Sequence, residues 1–152
     1  MNPVEPFRLV IPTHIFAAML DHAHVELPNE CIGFLAGTIA NGVGTVSQFL
    51  PLGNSLVSPT EFETEATSLF AAYKTMRTSH TDVLAIYHSH PTSVPIPSVK
   101  DLTNNTYGVN VVWLIVSLQN EPPEVRGWWL AKDFRPATWD VVCSSGFAAM
   151  IN

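Results

Sequence analysis

Cysteine, charged residues and long apolar runs are all scarce in this chain of 152 residues. Its two cysteines, Cys31 and Cys143, lie too far apart for a CxxC metal knuckle, and they show no disulfide framework. No run reaches the roughly 18 apolar residues that a membrane-spanning helix needs. The first residues also lack the basic and then apolar order of a secretion signal. We therefore expect a cytoplasmic protein without a membrane partner.

Basic side chains are few as well. Seven Lys and Arg against 13 Asp and Glu give a formal net charge of -6. Nucleic-acid binding relies on a basic surface that displaces counterions from phosphates, so we do not expect a nucleic-acid partner.

The hydrophobic fraction of 47% is typical of a well-filled globular core. The length predicts one domain over residues 1–152, in which residues 132–152 could form a C-terminal extension.

The apolar pattern predicts strands interleaved with helices. Strand patterns fall at residues 7–11, 31–37, 45–50, 83–87, 111–116 and 124–130, and helical patterns at residues 13–24, 65–79 and 98–106. This order favours an α/β fold with a mixed β-sheet flanked by helices. Trp128 and Trp129 must face opposite sides of the last strand, so one of them could be exposed. The tail after Asp133 carries only weak signals.

Two histidines at the end of a strand give the first functional signal. His88 and His90 follow the apolar residues 83–87, and the alternation of side chains along a strand places both imidazoles on one face. A proline-rich return then leads to a helix start at Ser98, with Asp101 in the first turn. Two imidazole nitrogens and one carboxylate oxygen are typical of a catalytic zinc site that leaves its fourth position to water.

An HxH pair alone is weak evidence for a metal site. His22 and His24 form a second such pair, but we place them at the end of a helix, where side chains two residues apart diverge. Three other metal families compete for the later pair. Non-haem iron oxygenases commonly use HxD/E with a distant histidine, cupins place a glutamate soon after HxH, and zinc deaminases need HxE with PCxxC. The sequence follows none of these orders.

The complete set of polar residues resembles the motif of the JAMM (MPN+) zinc metallopeptidases, which is a glutamate followed far downstream by HxHx(7)Sx(2)D. His88, His90, Ser98 and Asp101 match the second part, and Glu30 in PNECIGFLAG occupies the upstream position. The resemblance implies the MPN fold, also called JAB or cytidine-deaminase-like. Because the chain is short, it looks like the compact prokaryotic type.

The resemblance also implies a role for each residue. His88, His90 and Asp101 would hold Zn²⁺, whose charge lowers the pKa of a bound water toward about 7. Glu30 would take the proton of this water as it attacks the carbonyl and pass it to the leaving amine. Ser98 would donate a hydrogen bond to the tetrahedral oxyanion. A serine three residues before an aspartate at a helix start also fits a capping box, in which the hydroxyl bonds a backbone amide.

The substrate that the resemblance implies is a ubiquitin-like β-grasp protein. The enzyme would cleave an amide or isopeptide bond after the C-terminal Gly-Gly tail, and the extended tail would add to an exposed sheet edge. One alternative is a peptidase that releases cysteine or a short extension from a sulfur-carrier β-grasp protein. A second alternative is a non-catalytic MPN scaffold. Such a protein would purify without stoichiometric zinc, and chelators would not affect it.

Overall fold

The computed structural model of the chain describes residues 5–143 and places them in an eight-stranded sheet with three helices. The strands are β1 (Arg8–Pro12), β2 (Ile32–Ala40), β3 (Val43–Leu52), β4 (Asp82–His90), β5 (Val112–Ser117), β6 (Glu124–Leu130), β7 (Phe134–Pro136) and β8 (Trp139–Val142). The helices are α1 (Thr13–Val25), α2 (Ala66–Ser79) and α3 (Val99–Thr103). This confirms the predicted α/β class with a mixed sheet.

The strand order in the sheet is β7-β6-β5-β4-β2-β3-β1-β8. Neighbours β1 and β3, β1 and β8, and β4 and β5 run parallel, whereas the other pairs run antiparallel. Strand β4 therefore has a hydrogen-bonded partner along each edge, antiparallel β2 on one side and parallel β5 on the other. This double pairing fixes the backbone of the strand that carries His88 and His90.

The sheet curls until its two ends are joined by the tail of the chain. Ala137 N donates to Gly127 O of β6 at 2.9 Å, and Leu9 N of β1 donates to Thr138 O at 3.0 Å. The carboxylate of Glu5 accepts hydrogen bonds from the backbone and the hydroxyl of Thr138. The tail that carried weak signals thus forms β7 and β8 and connects β6 with β1.

Each face of the sheet has its own apolar core. Helix α1 buries Ile15, Met19 and Ala23 against one face, and α2 buries Ala72 and Met76 against the other. The amphipathic pattern of each helix accounts for this packing, because one stripe of side chains faces the sheet. None of the described helices is long and apolar enough to cross a membrane.

Strand β4 contributes side chains to both cores. Tyr87 packs in the core under α1, and Ile86 packs in the core under α2. Because strand side chains alternate, His88 and His90 project on the side of Ile86. The ring of His88 contacts Trp113 of the same core, with ring centroids 5.8 Å apart. The face that bears α2 is therefore the face that bears the histidines.

The prediction for the two adjacent tryptophans was wrong, because both of them are buried. Trp128 donates from Nε1 to Pro95 O at 2.9 Å, and Trp129 donates from Nε1 to Glu5 Oε1 at 3.0 Å. The two rings do face opposite sides of β6, but the chain covers the sheet on both sides at this point. Each indole N–H finds an acceptor there, as buried tryptophans require.

Candidate active site

Two histidines and one aspartate converge at the C-terminal end of β4. His88 Nε2 lies 3.2 Å from His90 Nε2, and Asp101 Oδ1 and Oδ2 lie 3.2 Å from His88 Nε2 and His90 Nε2, respectively. All three side chains are buried. A tetrahedral ion with bonds of about 2.0–2.1 Å holds its ligand atoms about 3.3 Å apart. The spacing of these three donor atoms therefore fits a single metal ion.

Contacts around the two imidazoles orient them. His90 Nδ1 lies 2.8 Å from Val94 O. A carbonyl can only accept, so Nδ1 carries the proton and the lone pair of Nε2 faces the cluster. The ring of His88 packs against Phe62 and Trp113, with centroids 5.1 Å and 5.8 Å away. Its buried Nδ1 has no hydrogen-bond partner among residues 5–143, so ring packing holds this imidazole.

Asp101 reaches the histidines because a capping box starts α3. Ser98 Oγ accepts a hydrogen bond from Asp101 N at 3.1 Å, and Asp101 Oδ2 accepts one from Ser98 N at 2.8 Å. The helix spans Val99–Thr103 and is shorter than the predicted residues 98–106. Asn105 ends it, since its side chain bonds the backbone of the following turn and competes with helical hydrogen bonds.

The cluster holds an ionised carboxylate beside imidazole nitrogens. Burial by itself would raise the pKa of Asp101, but His88, His90 and the amide of Ser98 outweigh burial and hold this pKa well below its usual range. Burial by itself would lower the pKa of His90, yet the contacts with Asp101 and Val94 O raise it. One anionic oxygen and two imidazole nitrogens make a donor set that suits a divalent transition-metal ion.

Glu30 lies beside this cluster, just before β2. The antiparallel register pairs Ile32 with His88, and its continuation brings Glu30 to His90. The residue is 4% exposed, and its Oε1 is buried without a partner in the described part of the chain. Burial, opposed by the attraction of His90, raises the pKa of Glu30 to about 8. A carboxyl group that titrates near neutral pH can both accept and release a proton.

Openings in the surface give access to these residues. A cavity of about 20 Å³ is lined by Glu30, Asp101 and Trp113, among others. A cleft of about 330 Å³ shares Phe62 and Trp113 with it, and a cleft of about 380 Å³ shares Glu30. The larger cleft is also lined by His90 and Ser98. Glu30 therefore lies at both the small cavity and the larger cleft.

Four of the five predicted site residues line these openings, namely Glu30, His90, Ser98 and Asp101, and the fully buried His88 adjoins them through Asp101. His88, His90 and Asp101 form the one group of three His, Cys, Asp or Glu residues within residues 5–143 that could hold a metal ion. Glu30 and Ser98 line the cleft beside them. The other histidine pair, His22 and His24, is not part of this group. His22 Nδ1 instead lies 2.7 Å from the hydroxyl of Tyr87, and His24 Nδ1 lies 3.0 Å from Leu20 O.

Sequence reasoning missed two residues that touch the backbone at Glu30. Asn54 Nδ2 donates to Glu30 O at 3.1 Å, and Ser89 Oγ accepts from the amide of Cys31 at 2.8 Å. Ser89 had a local signal, because it stands between the two histidines. Asn54 had none, because it lies in a loop 24 residues from its partner.

Comparisons with known proteins identify relatives over most of the chain. A family model described as prokaryotic homologs of the JAB domain matches residues 12–131. The chain is 34% identical over 124 residues to a desampylase from Pyrococcus furiosus and covers 82% of each protein. It is 30% identical over 105 residues to a probable TtuB-protein conjugate cleaving protease from Thermus thermophilus, with 68% of each covered. A CysO-cysteine peptidase from Mycobacterium tuberculosis is 30% identical over 96 residues, which are 63% of this chain and 64% of that protein.

Solved structures of similar proteins agree with the observed fold. A solution structure from Desulfitobacterium hafniense matches with a TM-score of 0.80 at 25% identity and covers 90% of this chain and 94% of that chain. A second solution structure, from Salinibacter ruber, has a TM-score of 0.63 at 27% identity and covers 88% and 90%. With the family match over residues 12–131, these findings show that the chain belongs to the JAB family in its compact prokaryotic JAMM (MPN+) form.

Proposed function

We propose that this protein is a zinc-dependent peptidase or isopeptidase that cleaves after the C-terminal Gly-Gly tail of a ubiquitin-like β-grasp protein. The observation that carries the proposal is the convergence of His88, His90 and Asp101 beside the buried carboxyl group of Glu30. The relatives named as a desampylase and as a TtuB-protein conjugate cleaving protease support a protein conjugate as the substrate.

The donor set supports zinc as the metal. Two imidazole nitrogens and one carboxylate oxygen, with room for a water, are typical of catalytic zinc sites. When bound there, zinc would lower the pKa of the attacking water and polarise the substrate carbonyl. The bond between His90 Nδ1 and Val94 O would orient this ligand and increase its basicity, as partners of metal-bound histidines do.

Glu30 moves the protons of the reaction. Its carboxylate accepts a proton from the attacking water and then donates it to the leaving nitrogen. Amide cleavage needs this second transfer, because an unprotonated amine is a poor leaving group. Burial raises the pKa of Glu30 to about 8. A divalent cation beside it would lower that pKa and favour the basic form at neutral pH.

Ser98 stabilises the negative charge that develops on the substrate carbonyl. Its Oγ accepts the hydrogen bond from Asp101 N, which leaves the hydroxyl proton free for another acceptor. Ser98 also lines the cleft that Glu30 and His90 line. The capping role and the oxyanion role of this serine are therefore compatible, and the second would lower the barrier by electrostatic stabilisation.

The shape of the site supports glycine next to the cleaved bond. The cavity beside Glu30 and Asp101 has a volume of about 20 Å³. The opening is narrow at this point, which favours glycine over a residue with a large side chain. The adjoining cleft of about 330 Å³, lined by Leu56 and Tyr107 among others, has room for further residues of an extended tail.

Release of cysteine from a sulfur-carrier protein is the second candidate. The relative named as a CysO-cysteine peptidase supports it, at 30% identity over 96 residues. The bond broken would again be an amide after the tail of a β-grasp protein, but the leaving group would be a single amino acid. Both candidates use the same five side chains and differ in what must fit beyond the cleaved bond.

One experiment tests the function and separates these candidates. The zinc-loaded protein is incubated with two adducts of a β-grasp protein. In one the Gly-Gly terminus is joined to a lysine side chain, and in the other it is joined to cysteine. Mass spectrometry then gives the masses of the products. We expect cleavage of at least one adduct. Glu30→Gln should keep zinc and lose turnover, whereas His88→Ala should lose both.

Controls define the outcomes that would contradict the proposal. Glu121→Gln, whose side chain is 81% exposed, makes the same chemical change as Glu30→Gln and should retain full activity. Cleavage of neither adduct by zinc-loaded protein would refute the peptidase assignment. A protein that purifies without zinc and is unaffected by chelators would support the scaffold. Full activity of Glu30→Gln would show that another group moves the proton.

A further inference from the structure

The backbone of Glu30 is held from two sides. Its N–H donates to Ser58 O at 2.8 Å, and its carbonyl accepts from Asn54 Nδ2 at 3.1 Å. Both partners lie in the segment between β3 and α2, which we call the 53–65 loop. On the other side, the amide of Cys31 donates to the hydroxyl of Ser89 at 2.8 Å. The position of Glu30 relative to the histidines is thus set by the loop and by β4 together.

Asn54 is the residue that organises this loop. Its Nδ2 donates to Glu30 O and to Glu61 O at 3.1 Å and 2.9 Å, and its Oδ1 accepts from the amides of Leu56 and Glu63, both at 3.1 Å. A side-chain amide offers two donor hydrogens and two acceptor lone pairs. Asn54 therefore uses its full hydrogen-bonding capacity, with three bonds inside the 53–65 loop and one to the carbonyl of Glu30.

The position of the Glu30 carboxyl group depends on this backbone support. Its Oε1 has no hydrogen-bond partner within residues 5–143, so no bond to that oxygen fixes its place. The same loop reaches the metal-binding group, because Phe62 packs on His88 and Glu61 pairs with Lys100 of α3 at 3.2 Å. A displacement of the loop would change the distance between Glu30 and the reacting atoms, and a shift of about 1 Å can cost about 100-fold in rate.

We propose that Asn54 is a positioning residue that holds Glu30 at the working distance from the substrate carbonyl by bonding the Glu30 backbone to the 53–65 loop. This inference rests on the proposed peptidase function, in which Glu30 transfers protons. It assigns no contact with the substrate to Asn54, which acts through the position of Glu30.

Two variants separate the geometry from the added charge. Asn54→Asp keeps an acceptor for the amides of Leu56 and Glu63, but it turns an oxygen instead of an NH₂ group toward the carbonyl of Glu30. Asn54→Leu has a similar size, carries no charge and removes all four bonds. It also serves if Asn54→Asp does not fold. Agreement between the variants would show that lost support, and not a new negative charge, is the cause.

Gln48→Glu is the matched control for the change from amide to carboxylate. Gln48 Nε2 donates to Ser79 Oγ at 2.8 Å, and its Oε1 accepts from Thr81 Oγ1 at 2.7 Å. This amide also both donates and accepts, but it lies by the start of β4, at the opposite end from the histidines. The control should lose stability in proportion to its broken bonds and keep its turnover.

The first readout does not depend on activity. Amide hydrogen exchange on the full chain as purified should show that the N–H of Glu30 exchanges about 10-fold faster in the Asn54 variants, because the loop that supplies Ser58 O is released. The amide of Asp101, which donates to Ser98 Oγ in the capping box of α3, should keep its rate. Unchanged protection at Glu30 would overturn the inference.

The second readout is the turnover of the zinc-loaded protein on whichever β-grasp adduct the wild type cleaves. We expect kcat to fall about 10- to 100-fold in both Asn54 variants, with zinc content and KM unchanged. Combined with Glu30→Gln, either variant should add no further loss, because the group it positions is already gone. An unchanged kcat would overturn the positioning role of Asn54 and leave the proposed function intact. The same holds if the losses in kcat from the two single variants multiply in the double variant. A wild type that cleaves neither adduct would overturn the proposed function and this inference with it.

Discussion

The pH dependence of stability tests whether Glu30 is as deeply buried as the structure indicates. In metal-free protein, burial raises the pKa of Glu30 from its ordinary value of 4.5 to about 8. The folded state therefore binds this proton more tightly than the unfolded state. The stability linked to it is fully present below pH 4.5 and is lost as the pH rises through about 8. Glu30→Gln carries no such proton and should not show this decline.

The size of the effect follows from linkage. Under acidic conditions Glu30 is protonated in both states. As the pH rises, its ionisation in the unfolded state lowers the free energy of unfolding of the wild type, by about 1 kcal/mol at pH 5 and about 3 kcal/mol at pH 7. The free energy of unfolding of the wild type, measured against that of Glu30→Gln, should therefore fall by about 2 kcal/mol between these two pH values. A constant effect of the substitution on packing cancels in this comparison, because only the change with pH is used.

Urea unfolding of the chelated proteins at both pH values provides the measurement, with equal m-values as the check that the unfolded states are comparable. Glu121→Gln is the control, since its side chain is 81% exposed, and it should follow the wild type. Identical pH dependence in the wild type and Glu30→Gln would show that the Glu30 carboxyl group ionises freely in the folded protein. That result would refute the reasoning from burial.

Three further predictions concern the surroundings of Glu30. Ser98→Ala should lower the free energy of unfolding by about 0.5–2 kcal/mol through the lost cap, measured in urea; a kcat that stays at the wild-type value would contradict the oxyanion role. Gly33→Ala would place a methyl group 2.1 Å from the Tyr87 hydroxyl, so we expect a loss of about 1–3 kcal/mol and a lower melting temperature. Zinc at about 100 times its Kd should stabilise the protein by about 2.7 kcal/mol, and EDTA should reverse this; a stable zinc shift in His88→Ala would contradict the ligand assignment.

The convergence of the three candidate metal ligands was predictable because its signals are local. His88, His90 and Asp101 lie within 14 residues, at a strand end and in the first turn of a helix, and both elements form from their own apolar and capping patterns. Glu30 lies 58 residues before His88, and only the resemblance to the JAMM motif linked the two in the sequence. The physical link is the antiparallel register of β2 and β4, which periodicity alone does not specify.

Contacts between distant segments account for what the sequence did not predict. The Asn54 amide bonds a carbonyl in another segment, and nothing in its own neighbourhood predicts that partner. Strands β7 and β8 are short, and they form because distant edges of the sheet supply their hydrogen bonds. The burial of Trp128 and Trp129 likewise depends on chain segments that cover β6 from elsewhere. Such tertiary contacts override local propensity.

The parallel pairing of β1 with β8 has a consequence for biosynthesis. Leu9 is in register with Trp139, so the edge of β1 that pairs with β8 has no partner strand until about 130 further residues have been synthesised. While the ribosome makes the intervening residues, this edge exposes unpaired N–H and C=O groups that can template association with other nascent chains. A protein terminated after residue 131 would keep this edge open permanently. We expect it to retain β4 and α3 but to precipitate during expression.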